Sequence, residues 1–110
     1  MANKETTQTD GPHLVELPTL GKRAHFSYAC DGGALTLYYG KASRLRLSAD
    51  MMRKLCADNR GKMMAPSGAD SLEEWLRTNG VQTRIVSYLA PALIHLGFAE
   101  HAGSKIRFRA

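Results

Sequence analysis

At 110 residues with an ordinary apolar share of 44%, the chain is large enough for one globular domain with a modest core. No apolar run approaches the roughly 20 residues that cross a bilayer, and the opening MANKETTQTDGPH has no apolar centre of the kind an export signal needs; a cytoplasmic protein without membrane contact is expected. The net charge of +5 is uneven: the first 20 residues hold one lysine against Glu5, Asp10 and Glu16, leaving 14 Lys/Arg against 7 Asp/Glu in the rest, a balance that points to a polyanionic partner or, more blandly, to charges that only maintain solubility.

Residues 1–13 are polar, close on Gly11-Pro12 and read as a disordered lead-in. Leu14 to Leu20 alternates loosely around Pro18, as an edge strand or an arm over the core would. From His25 the apolar period becomes two. Phe26, Tyr28 and Cys30 share a face, Asp31-Gly32-Gly33 turns the chain, and Leu35, Leu37 and Tyr39 share a face again. After Gly40-Lys41-Ala42-Ser43 a third strand is expected, with Leu45 and Leu47 inward and Arg44 and Arg46 outward. Residues 24–48 therefore predict a small antiparallel sheet with one buried face.

Ser48 is placed to cap a helix over 48–60, with Asp50 near its positive end and Met51, Met52, Leu55 and Cys56 as its apolar stripe. Asn59-Arg60-Gly61 ends it, and 61–70 reads as a loop. Gly61-Lys62 is no phosphate-binding loop, because the G-x-x-x-x-G-K-[ST] pattern is missing. Ser71-Leu72-Glu73-Glu74 is a capping box, in which Ser71 caps the helix and Glu74 reaches back to the Ser71 N–H. Leu72, Trp75 and Leu76 form that helix's apolar face, and Asn79-Gly80 stops it.

A longer helix is predicted over 82–96, with Ile85, Leu89, Leu93 and Leu96 as one buried stripe. Pro91 removes the bond to the carbonyl of Ser87, so either the helix kinks there or two short helices meet; the stripe carries across, which favours the kink. Gly97 closes it. Phe98-Ala99-Glu100 and Lys105-Ile106-Arg107-Phe108 then pair around a glycine turn, with Phe98, Ile106 and Phe108 inward and Lys105, Arg107 and Arg109 exposed.

A helix with one apolar stripe can rest on a core while its first turns enter a DNA groove. Arg84 suits guanine, Gln82 adenine, Thr83 and Ser87 phosphate or base, and Tyr88 a sugar or phosphate. His101, Lys105 and Arg107 would follow the backbone from the hairpin, with Lys41, Arg44 and Arg53 as outlying phosphate contacts.

The order Leu72-Glu73-Glu74-Trp75-Leu76, Gly80-Val81, Arg84 through Leu96, then Gly97-Phe98-Ala99-Glu100 resembles the winged helix-turn-helix superfamily of bacterial transcriptional regulators, over about a third of the chain. Together with the N-terminal sheet and helix read from the residue pattern, which are not the usual helical first part of that superfamily, the resemblance gives an expected α+β domain over 14–110 ending in a winged helix-turn-helix at 71–109. It also implies a regulator or accessory factor on double-stranded DNA, reading with helix 82–96 and wing 97–109. A lone module of this size favours a homodimer, for which Tyr38-Tyr39 or the front sheet would supply the interface. The alternative is a protein-interaction adaptor or inhibitor on the same scaffold, since fold does not settle function.

No enzyme, cofactor or metal is expected. Cys30 and Cys56 show no zinc spacing and read as free thiols. His13, His25, His95 and His101 lack Cys, Asp or Glu partners at ligand spacing, and no nucleophile or paired-acid motif is visible.

Overall fold

The computed structural model describes residues 14–110; the expected lead-in at 1–13, with His13, lies outside them. Strands β1 (Val15–Pro18), β2 (His25–Asp31), β3 (Ala34–Tyr39) and β4 (Ser43–Leu47) form an antiparallel sheet in chain order. Then come α1 (Ala49–Asp58), β5 (Met63–Met64), α2 (Leu72–Thr78), α3 (Val86–Leu96), β6 (Ala99–Ala102) and β7 (Lys105–Phe108). The last three strands make a second antiparallel sheet in the order β5-β7-β6. The chain is thus an α+β domain with two antiparallel sheets and three helices among the described residues.

The period-two pattern sets the first sheet. Tyr28 stands opposite Leu37, Leu37 opposite Leu45, and Leu35 opposite Leu47. These rows face the core, where Phe26, Tyr28, Leu35, Leu37 and Leu47 are buried. Leu14–Leu20 supplies the expected edge strand, β1, paired to β2 from Val15↔Tyr28 to Pro18↔His25. Cys30 departs from expectation: near the end of β2, it is exposed.

α1 runs as predicted between two caps. Ser48 Oγ accepts from Met51 N–H at 3.1 Å, and the buried Asn59 donates from its side chain to the carbonyl of Leu55 at 2.9 Å. The expected loop at 61–70 contains a strand: Met63 and Met64 pair with Arg107 and Ile106. Two residues are too few to show a period, so their pairing is decided by β7 alone.

At α2, Ser71 Oγ accepts from Glu74 N–H at 3.1 Å and donates to the Gly68 carbonyl at 2.6 Å. Glu74 reaches back one residue further than expected, accepting from the Asp70 N–H at 2.6 Å. The Asp70 backbone is left-handed, φ 54°, which turns that N–H toward the helix.

α3 starts at Val86, four residues later than the predicted Gln82. Val81 N–H still bonds back to Leu76 at 2.8 Å, and Ile85 takes the N-cap position, its carbonyl accepting from Leu89 N–H at 2.7 Å. No side chain caps this start, so nothing in the residue types marks it. Once begun, the helix is unbroken across Pro91. The carbonyl of Ser87 that the proline leaves without a helical partner accepts from the Leu20 N–H at 2.9 Å. The apolar stripe is as expected, with Ile85, Leu89 and Leu93 fully buried.

Gly97, at φ 88°, closes α3 with a Schellman pair: Gly97 N–H to Ile94 and Phe98 N–H to Leu93. This corrects Phe98. The left-handed turn leaves it 41% exposed and sends Ala99, at 1%, into the core opposite Phe108.

Ser71 is 1% exposed and holds two hydrogen bonds, whereas Ser48 is exposed and holds one. Ser71→Ala is expected to cost about 1–2 kcal/mol and Ser48→Ala at most about 1 kcal/mol. Urea unfolding of both variants checks the order; equal losses would contradict the capping account.

Candidate nucleic-acid interface

Of the residues expected to read a groove, Gln82, Thr83 and Arg84 line one concavity and Arg84 shares another with Ser87, while Tyr88 is turned away. Gln82, Thr83 and Arg84 lie on the exposed turn between α2 and α3, ahead of the helix rather than in its first turns. Arg84 has 89% of its side chain exposed and approaches Glu73 at 3.4 Å. Ser87 is exposed on the first turn of α3, its carbonyl engaged by Leu20.

Tyr88 is corrected outright. Its ring stacks on Tyr39 at 4.5 Å between centroids, 18° from parallel, and lies 5.5 Å from Phe26. It seals α3 to the inner face of the first sheet. Further along, the Tyr28 hydroxyl and His95 Nδ1 share a hydrogen bond of 2.6 Å, and burial pushes the Tyr28 phenol up, which keeps it protonated. The sheet thus covers a flank of α3 that a groove reader would need. Ser87 and His95 are the exposed residues left on the helix.

The pair Tyr38-Tyr39, expected as a dimer surface, is divided by strand alternation. Tyr39 stacks inward on Tyr88 while Tyr38 stands across from Arg44 on the outer face.

The hairpin β6–β7 is different. Alternation along β7 puts Lys105, Arg107 and Arg109 on the face opposite the buried Ile106 and Phe108, successive members about 6.8 Å apart along the strand. Arg107 faces Glu100 across the sheet at 3.4 Å, an exposed pair of little energetic weight. Lys105 and Arg109 have no carboxylate partner among the described residues. Arg60 and Lys62, both exposed, lie on the chain entering β5 but not in this file: Met63 stands opposite Arg107, so alternation turns Lys62 to the other face, where its charge acts on Asp58. Phe98 and Met63 flank the file, 41% and 48% exposed. His101 does not belong to it: paired with Ile106, it is on the other face of the hairpin.

Of the outlying contacts, Lys41 and Arg44 line a shallow concavity of about 610 Å³ with His25, Ser27 and Tyr38. Arg53 is on α1 and bonds Asp50, one turn back. Arg109, expected on the exposed side of the hairpin but not among the DNA contacts, extends the row of Lys105 and Arg107.

Both thiols are free, and partial burial pushes both above the usual cysteine value, so they are protonated at neutral pH. Among the described residues no three His, Cys, Asp or Glu side chains gather into a metal-holding group, and no helix is long and apolar enough to cross a membrane. Compared with known proteins, the chain matches no family model, no curated protein and no solved structure.

Asp58 joins α1 to α2. It accepts from Lys54 at 2.7 Å and from the Trp75 indole at 3.1 Å, and these two bonds, Lys54 first, hold its carboxyl below the usual carboxylate range. A depressed carboxylate stabilises the fold above its unfolded pKa and loses that contribution as pH falls through the folded value. Asp58→Asn should therefore lower the Tm at neutral pH and converge with wild type in acid. Thermal melts from neutral to strongly acidic pH check this; a constant gap would contradict it.

Proposed function

We propose that residues 49–109 form a winged helix-turn-helix and that the protein binds duplex DNA through its phosphates, using the wing rather than an inserted helix. The element order α1-β5-α2-α3-β6-β7, with β5 joining the hairpin through β7, supports the winged assignment. One observation carries the binding: alternation along β7 and the residue after it files Lys105, Arg107 and Arg109 onto one open face, with Glu100 as the nearby carboxylate. A row of exposed cations at strand spacing suits a phosphate backbone, and counterion release supplies the affinity. The exposed turn Gln82-Thr83-Arg84 would add a second, weaker contact.

Because Tyr88 and His95 are engaged by the first sheet, α3 offers few groups to base edges. Binding is therefore tolerant of sequence, as backbone contacts position a protein without reading bases. This is an accessory or architectural role more than that of an operator-specific regulator. A protein-binding role is favoured by a different observation, the exposure of Phe98 and Met63 beside the cations.

Fluorescence anisotropy on several unrelated duplexes across a salt series separates the two. The expected result is similar affinity for every duplex and a steep salt dependence. Lys105→Glu/Arg109→Glu should flatten the log–log slope by about 0.9 for each phosphate that is no longer neutralised, and Arg84→Glu should flatten it less. Absence of binding at low salt, or binding that the wing variant leaves unchanged, would sink the proposal. A partner that Phe98→Ser releases, with no salt dependence, would establish the protein-binding role instead.

A further inference from the structure

The first sheet ends in an open edge. In the order β1-β2-β3-β4, strand β4 pairs with β3 alone. Among the described residues no other backbone or side-chain group hydrogen-bonds to residues 43–47. Alternate N–H and C=O groups of Ser43–Leu47 therefore point away from the sheet, available to a further strand.

The space beside this edge is shaped. A concavity of about 440 Å³ runs along Leu45, Arg46 and Leu47, floored by Met51 and walled by the turn that carries Val81 and Gln82. Leu45, Met51 and Val81 are half-buried there with apolar surface still open. A fifth strand would lie between the β4 edge and that turn, its inward side chains on Leu45, Met51 and Val81.

Charge selects the occupant. Arg44 and Arg46 stand on the outer face, exposed, preceded in the turn by Lys41, and none of the three has a carboxylate partner among the described residues. A second copy pairing edge to edge would bring arginines against arginines, and like charges across a sheet are destabilising. These are the charges by which edge strands resist self-association. They favour a strand that carries carboxylates at every second position. Nucleic acid would satisfy the arginines but would leave the strand's hydrogen-bonding groups and the apolar floor unused.

We propose that the β4 edge is a docking site for an extended acidic segment of a partner protein. The segment adds as a fifth strand, with acidic side chains toward Arg44 and Arg46 and the intervening apolar ones in the groove at Leu45, Met51 and Val81. Strand addition draws affinity from main-chain hydrogen bonds and specificity from alternate side chains.

The test uses the full chain and four labelled peptides: one alternating Glu and Val over eight residues, two forms of it N-methylated at alternate residues on one edge or the other, and one alternating Lys and Val. The Glu peptide should bind, one of the N-methylated forms should bind at least about tenfold more weakly, and the Lys peptide should not bind. Arg44→Glu/Arg46→Glu, at exposed positions, should lose the Glu peptide and gain the Lys peptide. That reversal could not come from a misfolded variant. Lys105→Glu/Arg109→Glu should leave peptide binding intact, which separates this site from the wing. The proposal is overturned if neither N-methylated form is weakened, if charge reversal does not exchange the peptides, or if duplex DNA binds the wing variant through the same two arginines and displaces the peptide.

Discussion

Helix α3 is packed from two directions, and the rest of the domain depends on that. Ile85, Leu89 and Leu93 are fully buried in the core and β6 packs on the helix, while Tyr88 and His95 bind the first sheet through a stacked ring and a short hydrogen bond. Full burial of a large aliphatic side chain contributes about 1.5–3 kcal/mol, so the stripe alone outweighs what any single surface ion pair supplies. Pro91 belongs to the same arrangement. In an isolated helix it costs about 3 kcal/mol, part of it from the carbonyl it strands. Here the Ser87 carbonyl receives the Leu20 N–H and ties the end of the β1 segment to the helix. The residue that most disfavours the helix therefore opens a backbone acceptor for docking the sheet.

That double packing has a functional consequence. A helix that inserts into a groove needs an outward face of donors and acceptors. On α3 that role falls to Ser87, because the remaining polar side chains are turned to the sheet or precede the helix altogether. A polyanion contact on the β6–β7 hairpin is proposed from this geometry, and so is its tolerance of sequence: cations on β7 would meet charge, not base edges.

What the residues disclose and what they hide divide along local and non-local lines. The alternation at 25–47, the caps at Ser48 and Ser71, the stripe Ile85-Leu89-Leu93 and the stop at Gly97 are local patterns with local causes, and each is found where the residues predict it. Strand β5 is hidden because two residues have no period. The start of α3 is hidden because Ile85 caps without a side-chain bond. Phe98 is misplaced when counting by two begins one residue early, on the left-handed turn rather than after it. Tyr88 suits DNA on paper because a tyrosine on a helix's polar side looks the same whether it faces solvent or another tyrosine; only the fold brings Tyr39 to it. Of the candidate site, Lys105, Arg107 and Arg109 are legible as a face, because alternation along one strand is a local pattern.

Charge pairing explains why the surface is not uniformly attractive to anions despite the net +5. Arg53, Lys54, Arg84 and Arg107 each have a carboxylate within ion-pair distance. Such pairs contribute little to stability, yet each one cancels field at its own position, and at physiological salt a cation's reach is only about 8 Å. What remains includes two groups: Lys105 and Arg109 on the β6–β7 hairpin, and Arg44 and Arg46 on the outer face of β4 with Lys41 in the turn before it. The first is an open row on the face of a small sheet, suited to a charge that repeats along a backbone. The second borders an unpaired strand edge and an apolar groove, suited to a partner that brings hydrogen bonds and side chains as well as charge. The two surfaces share a sign but not a chemistry, so they are expected to take different partners.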